Sequence, residues 1–336
     1  MTAFAELAEQ IGNATAVEIM GAGTQRGIGG AVDASKPIVE VRAPTGIVSL
    51  DPADMTVRVL AGTPVGVLSA ALAEVGQECP LDPENSAATV GGVLACGCSG
   101  IRRIRYGPIR DRVLEVRFIT GGGRLVRGGG PTVKNVSGYD FPRLMVGSHG
   151  TLGMLVEVVL KTQPIANKSS WYTSELAPDL LRTSIYRPAC IAWNGKMTYV
   201  LLEGHEIDVL SQASELSLEP AQPPPHPIGE HRGRISIDPT RIGSLAKSLG
   251  DIKVPWLAEI GVGTMHVATN NAAELHDARL VAHGEGGWLL REAGAPLLDP
   301  FGAVPSNREV MGRIRDAFDP LGKLNPGRLP FARFTP

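Results

Sequence analysis

Apolar and polar positions follow two different periods along this chain, and the changes of period outline its elements. Residues 5 to 16 carry a short helical pattern, and AVEIM (16 to 20) predicts a strand that runs straight into a glycine-rich loop. KPIVEV (36 to 41), GIVSL (46 to 50) and the alternating MTVRVLAG (55 to 62) predict three more strands. TPVGVLSAALAEVG (63 to 76) predicts a helix, with Thr63 as N-cap candidate, Pro64 at the first position and Gly76 to close it. The span 79 to 100 predicts a proline- and glycine-punctuated loop with one small-residue helix beginning near Thr89. A strand, glycine turn and return strand follow at 112 to 129, then a loop and a long apolar strand at 144 to 164. Hairpins with helices between them, in place of regular βαβ units, indicate an α+β fold.

Past residue 165 the character changes. Tryptophans appear, glycine thins, and EPAQPPPHPIGEHRG (219 to 233) predicts a proline-rich loop within a second, weaker α/β region in which LVAHGEGGWLLRE (280 to 292) fits a strand. The segment 307 to 330 predicts an amphipathic helix with Val310, Ile314 and Phe318 on one face, stopped by Pro320. The expected organisation is a domain at 1–165, a smaller one at 166–306 and a C-terminal helix and tail at 307–336.

Composition narrows the function classes. The 336 residues are 43% hydrophobic with a net charge of -2, so no electrostatic case exists for nucleic acid or an anionic membrane as the main partner. No transmembrane run and no signal peptide is read from the sequence, which leads to the expectation of a cytoplasmic, reduced protein. Four cysteines, with only Cys96 and Cys98 close together, do not supply the usual four thiolates of a structural zinc or iron–sulfur site; they are read as small buried residues.

The loop after the first strand carries Gly21, Gly23, Gly27, Gly29 and Gly30. A dinucleotide fingerprint fails here, because the sixth position is Arg26 and the loop runs on to another strand instead of opening a helix. A P-loop fails for want of Gly-Lys-Ser/Thr. Two readings stay open: a simple turn, or a nest whose N–H groups bind phosphate. The second glycine-rich helix start, ATVGGVLACGCSG, could face the first loop and clamp a diphosphate from the other side.

GAGTQRGIGG, then PLDP and ATVGGVLACGCSG, then KNVSGYD and GSHGTLG, and finally FDPLGKLNPGRL stand in an order that resembles the vanillyl-alcohol-oxidase-type (PCMH-type) FAD-binding flavoproteins. Within them the chain is most similar to the FAD-binding subunit of bacterial glycolate oxidase. The resemblance is close over 17 to 165, returns at 307 to 330 and is faint between. It implies a two-subdomain FAD-binding domain, a smaller α/β cap domain and a C-terminal helix that returns to the flavin. It places a first pyrophosphate loop on Gly21, Ala22, Gly23, Thr24, Gln25, Arg26 and Gly27. A second loop, lining flavin and diphosphate, falls on Pro80, Asp82, Thr89, Gly91, Gly92, Cys98, Ser99, Gly100 and Gly107. A third, at the adenosine end, falls on Gly147, Ser148, Gly150, Thr151 and Gly153, with Val156 and Glu157 behind it. Asn325 and Arg328 match the segment that packs near the isoalloxazine in relatives; the alternative is a plain C-terminal turn.

Covalent relatives attach the flavin through a histidine in the first loop. No histidine precedes His149 here, and Cys79 is too far from Gly91 and Gly92 to match the cysteine attachment pattern, so FAD is expected to be non-covalent. Larger relatives carry H-x-G-D-G-N-x-H; EIGVGTMHV (259 to 267) keeps Gly261, Gly263 and His266 but has Glu259 and Val262 where a histidine and the aspartate would stand. No metal is expected, and His266 is read either as a satisfied histidine at a sheet edge or as a base. The five arginines of IRRIRYGPIRDR (101 to 112) are read as a surface loop meeting an acidic partner subunit, with Arg110 paired to Asp111 or to the flavin region.

The expected function is the FAD-binding subunit of a multi-subunit 2-hydroxy-acid oxidase or dehydrogenase, acting as electron relay or structural flavoprotein beside a larger catalytic flavoprotein and an iron–sulfur subunit. Membrane association would come only through those partners. Two alternatives stay open. One is a standalone dehydrogenase with His266 as base and Arg328 or Arg110 binding the substrate carboxylate; the other is a non-enzymatic scaffold.

Overall fold

A computed structural model describes residues 3–33, 35, 37–130, 138–302 and 305–329. Residues 134–137 of the KNVSGYD motif lie outside them. The chain divides into two compact units, one of Met1–Gly100, Pro108–Ile165 and Val304–Pro336, the other of Ile101–Gly107 and Ala166–Ala303.

In the first unit, α1 (Ala3–Asn13) precedes two parallel strands, β1 (Ala16–Met20) and β2 (Ile38–Arg42), which are joined by the glycine loop. Helix α1 buries Ile11 against Val17, Val41, Val156 and Leu324. Three further strands follow in chain order as β3 (Ile47–Asp51), β4 (Thr56–Leu60) and, after α2 (Val65–Ala73), the short β5 (Gln77–Glu78). Then come α3 (Val90–Cys96) and the hairpin β6 (Val113–Ile119) and β7 (Leu125–Gly129), ahead of the long strand β8 (Met154–Lys161). Strands β3-β4-β8-β6-β7 form an antiparallel sheet in that order. The apolar stripes of α2 (Leu68, Leu72) and α3 (Val90, Val93, Leu94) pack on its Val57, Val59, Val116, Phe118, Val158 and Leu160. The C-terminal helix Arg308–Phe318 docks through Phe318, whose ring lies 6.0 Å from Phe118 and 5.9 Å from Phe141. Val310, expected on the same buried face, is exposed; only Ile314 and Phe318 of that row reach the core.

The sheet also carries charge. Glu115 and Glu157, both buried, meet Arg58 at 3.0 and 2.6 Å, and Arg127 and Arg117 extend the ladder at 2.7 and 3.5 Å. Four neighbouring strands thus share one network, which makes burial of the two carboxylates tolerable.

The second unit is built on an eight-stranded sheet whose pairings are all antiparallel among the described residues. Two sequence expectations change here. Glu219–Ala221 and His231–Ser236 are strands inside the stretch read as a proline-rich loop; Glu219–Ala221 lies at the sheet edge, where Pro220 needs no N–H partner on its outer side. Residues 280 to 284 end the helix Ala272–Gly284, with Leu275, Ala278 and Ala282 buried at helical spacing, and the strand is only Trp288–Ala293. The short helix Arg103–Tyr106 belongs to this unit as well. There the Arg102 guanidinium lies 3.3 Å from the Glu203 carboxylate, Tyr106 donates to the same carboxylate at 2.5 Å, and Arg105 donates to the Glu203 and Arg187 carbonyls at 2.7 and 2.8 Å. Arg102 and Arg105 are therefore internal latches rather than a face for an acidic partner. Arg110 lies 3.9 Å from Asp111, both half-exposed, as one of the two expected pairings.

Glu115→Gln removes the charge on which two arginines converge. We expect a loss of about 2–3 kcal/mol at neutral pH, read by denaturant unfolding. Its arginine partners outweigh burial and hold the Glu115 carboxyl below its usual range. A depressed carboxyl contributes stability above its unfolded value and loses it as pH falls through the folded one. The gap between wild type and variant should therefore close in acid, and a pH-independent gap would contradict the ladder.

Candidate cofactor site

Strand β1 delivers the chain into an open cleft that encloses about 910 Å³ of empty space, solvent at its mouth included. All its walls come from the first unit: Gly21 to Arg26 of the glycine loop, Thr89, Gly91, Gly92, Ala95 and Cys96 of α3, Ser148, His149, Gly150 and Gly153 of the following turn, and Asn325 and Arg328 near the C-terminus.

The two glycine-rich bends meet, but they contribute differently. Among the described residues no protein acceptor meets the main-chain N–H of Ala22, Gly23, Thr24 or Gln25, and the Gln25 side-chain oxygen is buried with no hydrogen-bond partner. Successive main-chain N–H groups left without a protein acceptor are the donors of which an anion-binding concavity is made. The start of α3 offers none of this. Val90 N–H donates to the Thr63 carbonyl at 2.9 Å, Gly91 to Ala61 at 2.7 Å, and Gly92 to its own N-cap, the Thr89 hydroxyl, at 3.1 Å. The expected two-sided clamp of amides is thus one-sided, and α3 supplies a wall. Its glycines allow close approach: a Cβ on Gly21 would stand 2.4 Å from the Thr89 hydroxyl, and one on Gly91 would stand 2.9 Å from the Ala61 carbonyl.

The C-terminal residues pin this site. Asn325 accepts from Ile19 N–H and donates to the His149 carbonyl, both at 2.7 Å. Arg328 donates to the carbonyls of Arg26, Gly30 and Ile28 at 2.8, 3.1 and 2.6 Å. Burial lowers the Arg328 pKa below the usual guanidinium range, and among the described residues no carboxylate pairs with it. A half-buried cation in the wall of a cleft favours an anionic occupant. With its donors on carbonyls, Arg328 is not arranged to bind a substrate carboxylate. Glu18, also in the wall, is paired with Arg26 at 2.8 Å.

Other expected residues support the site without lining it. Gly27 and Gly147 lie in the turns, Thr151 hydroxyl donates to the Ser148 carbonyl at 2.7 Å, and Ser99 hydroxyl accepts from Ile109 N–H at 3.2 Å. Pro80, Asp82, Cys98 and Gly100 stand outside the lining, with Gly100 packed on Asp82 so that a Cβ would come 2.2 Å from the Asp82 Cβ. Val156 is in the apolar core and Glu157 in the ion-pair ladder. Gly107 closes the helix Arg103–Tyr106 in the second unit. Cys79 and Cys190 are buried, but Cys96 and Cys98 are only half-buried, and Cys96 faces the cleft. Cys96, Ala95 and His149 were not among the sequence candidates; the spacing of Gly92, Ala95 and Cys96, one helical face continuing Thr89, is the signal that finds the first two.

His266 lies in the second unit, on the strand Thr264–Thr269, which is flanked on both sides and is not an edge. Gly261 and Gly263, both at positive φ, make the tight turn that leads into it. Its Nε2 is 2.7 Å from the Glu259 carboxylate, and its ring stands edge-on to His226 at 5.1 Å. Burial alone would lower its pKa, but Glu259 raises it above the ordinary histidine value.

Comparison with known proteins agrees with this site. The family model described as FAD binding domain matches residues 6–129. Glycolate oxidase subunit GlcE of Escherichia coli K12 is 40% identical over 310 residues, which cover 87% of this chain and 86% of that protein. D-2-hydroxyglutarate dehydrogenase of Xanthomonas citri pv. viticola is 38% identical over 152 residues, 44% of this chain but 32% of that one. A solved structure of alkyldihydroxyacetonephosphate synthase shares the fold over 96% of this chain and 74% of its own, with a TM-score of 0.68 at 16% identity.

A histidine raised by its partner stabilises the fold fully below its unfolded pKa of about 6.5 and loses that contribution as pH rises through the folded value. The melting-temperature gap between wild type and His266→Gln should thus be widest near pH 5.5 and shrink by pH 8.5. A gap that grows with pH would contradict the pairing.

Proposed function

Because the chain belongs to the FAD-binding flavoprotein family that includes glycolate oxidase subunits, we propose that it is the FAD-carrying subunit of a multi-subunit 2-hydroxy-acid oxidase or dehydrogenase of the glycolate type. FAD is its cofactor. The observation that carries this reading is the run of open amides at residues 22 to 25 beside the half-buried guanidinium of Arg328, which suits a diphosphate dianion. When bound, FAD supplies two-electron redox chemistry that protein side chains lack. The chain's own part is to bind and orient it. Ala22 to Gln25 would hold the diphosphate, Arg328 would balance its charge, and α3 with the 148–150 turn would exclude water from one side of the cleft.

Substrate oxidation would sit in a larger flavoprotein partner, with an iron–sulfur subunit carrying electrons onward and this chain acting as relay or structural flavoprotein. Supporting this division, Glu18 in the cleft wall is paired with Arg26, and Asn325 and Arg328 are committed to the backbone. The standalone dehydrogenase is the weaker reading, since Arg328, one of the arginines it offers for the substrate carboxylate, already holds three carbonyls. Association with a membrane would be peripheral and through partners; among the described residues no helix is long and apolar enough to cross one. FAD would be held without a covalent bond, since the amide run is itself an anchor for it.

The purified chain should be yellow, and acid precipitation should release all of its FAD to the supernatant. Mixed alone with glycolate or D-lactate and a dye acceptor, it should show no rapid flavin bleaching, whereas the assembled complex should. Bleaching by the isolated chain would favour the standalone enzyme, and a colourless protein that takes up no FAD would remove the cofactor reading.

A further inference from the structure

A loop of small residues can face a cavity with either end of each peptide, and an anion site works only if the N–H ends are turned inward. A trans peptide is planar, so the carbonyl of one residue and the N–H of the next point in opposite directions. Whatever holds the carbonyl sets the amide. In this loop Gly21, Gly23, Gly27, Gly29 and Gly30 bring no side chain to do so, and glycine leaves the backbone free to rotate.

Carbonyl holders come from outside the loop. Arg42, on β2, donates from Nη1 to the Gly21 carbonyl at 2.8 Å, which fixes the peptide that carries Ala22 N–H, the first of the four open amides. Arg328 donates to the Arg26, Ile28 and Gly30 carbonyls and so fixes three alternate peptides further on. Between them the loop closes on itself, with Arg26 N–H to the Gly23 carbonyl at 3.2 Å and Ile28 N–H to Gln25 at 3.1 Å. Glu40 in turn holds the Arg42 guanidinium at 2.6 Å. We infer that Arg42 and Arg328 are positioning residues that set the polarity of the diphosphate loop, each holding carbonyls so that the amides of residues 22 to 25 stay turned to the cleft. This rests on the FAD reading and adds to it a mechanism of preorganisation in which neither arginine has to touch the cofactor for its loss to weaken binding.

The test titrates the apo-protein with FAD and with ADP, which carries the diphosphate without the flavin. Arg42 is more than half exposed, so Arg42→Gln should leave the apo melting temperature unchanged while weakening FAD and ADP by the same factor, on the order of tenfold. Arg328→Lys keeps the charge but replaces a planar fork by a point donor that does not bridge three carbonyls. It should lose affinity for both ligands, by less than Arg328→Gln, which gives up the charge as well and should fall on the order of a hundredfold. Three results overturn the inference: Arg42→Gln binding both ligands within twofold of wild type, Arg328→Lys restoring wild-type affinity, or a loss confined to FAD with ADP unaffected. Should the Arg328 variants not fold, Arg42→Gln decides alone. A wild-type chain that binds neither ligand fails the FAD reading and this inference together, while wild-type binding with unaffected variants fails this one only.

Discussion

Residues 323 to 328 bind together the chain segments from which the cofactor cleft is built. Val17 N–H donates to the Lys323 carbonyl and Asn325 N–H to the Val17 carbonyl, each at 2.8 Å, so Leu324 forms a parallel bridge beside Val17 of β1. Its side chains reach in three directions. Lys323, buried, donates to the Gly12 and Ala14 carbonyls behind α1, Asn325 joins β1 to the 148–150 turn, and Arg328 holds the glycine loop. Bonds such as Asn325 to Ile19 span 306 residues of sequence, so the cleft exists only once the C-terminal segment has returned.

The electrostatics follow from that closure. Half-burying the Arg328 guanidinium disfavours its charge, and an anion bound beside it would offset that cost. The same closure limits what the chain does alone. Asn325 and Arg328, weak catalytic candidates, hold backbone, and His266, paired with Glu259, is in the second unit. A site whose Asn325 and Arg328 side chains are committed to backbone is what a subunit would need if chemistry on the hydroxy acid belonged to its neighbour.

Local features of this site were legible because local interactions set them. Thr89 is the N-cap of α3 because its hydroxyl reaches an amide three residues on, a relation contained in four letters of sequence. The 112–129 hairpin likewise follows from its glycine turn. Asn325 and Arg328 were noticed only through family likeness, and their partners, Ile19, His149 and the loop carbonyls, are set by tertiary closure that no local pattern encodes. The α3 amides were misjudged for the same reason: their acceptors, Ala61 and Thr63, lie about thirty residues upstream. In the second unit, tertiary pairing made Glu219–Ala221 a strand despite Pro220, and helical burial of Leu275, Ala278 and Ala282 carried a helix through to Gly284.

Residue-resolved amide hydrogen exchange, with and without FAD, tests the one-sided cradle most directly. The N–H groups of Ala22, Gly23, Thr24 and Gln25 should exchange quickly in the apo-protein and become strongly protected on binding, while those of Val90, Gly91 and Gly92, already bonded, should change little. Protection that appears at 90 to 92 and leaves 22 to 25 unprotected would contradict the account.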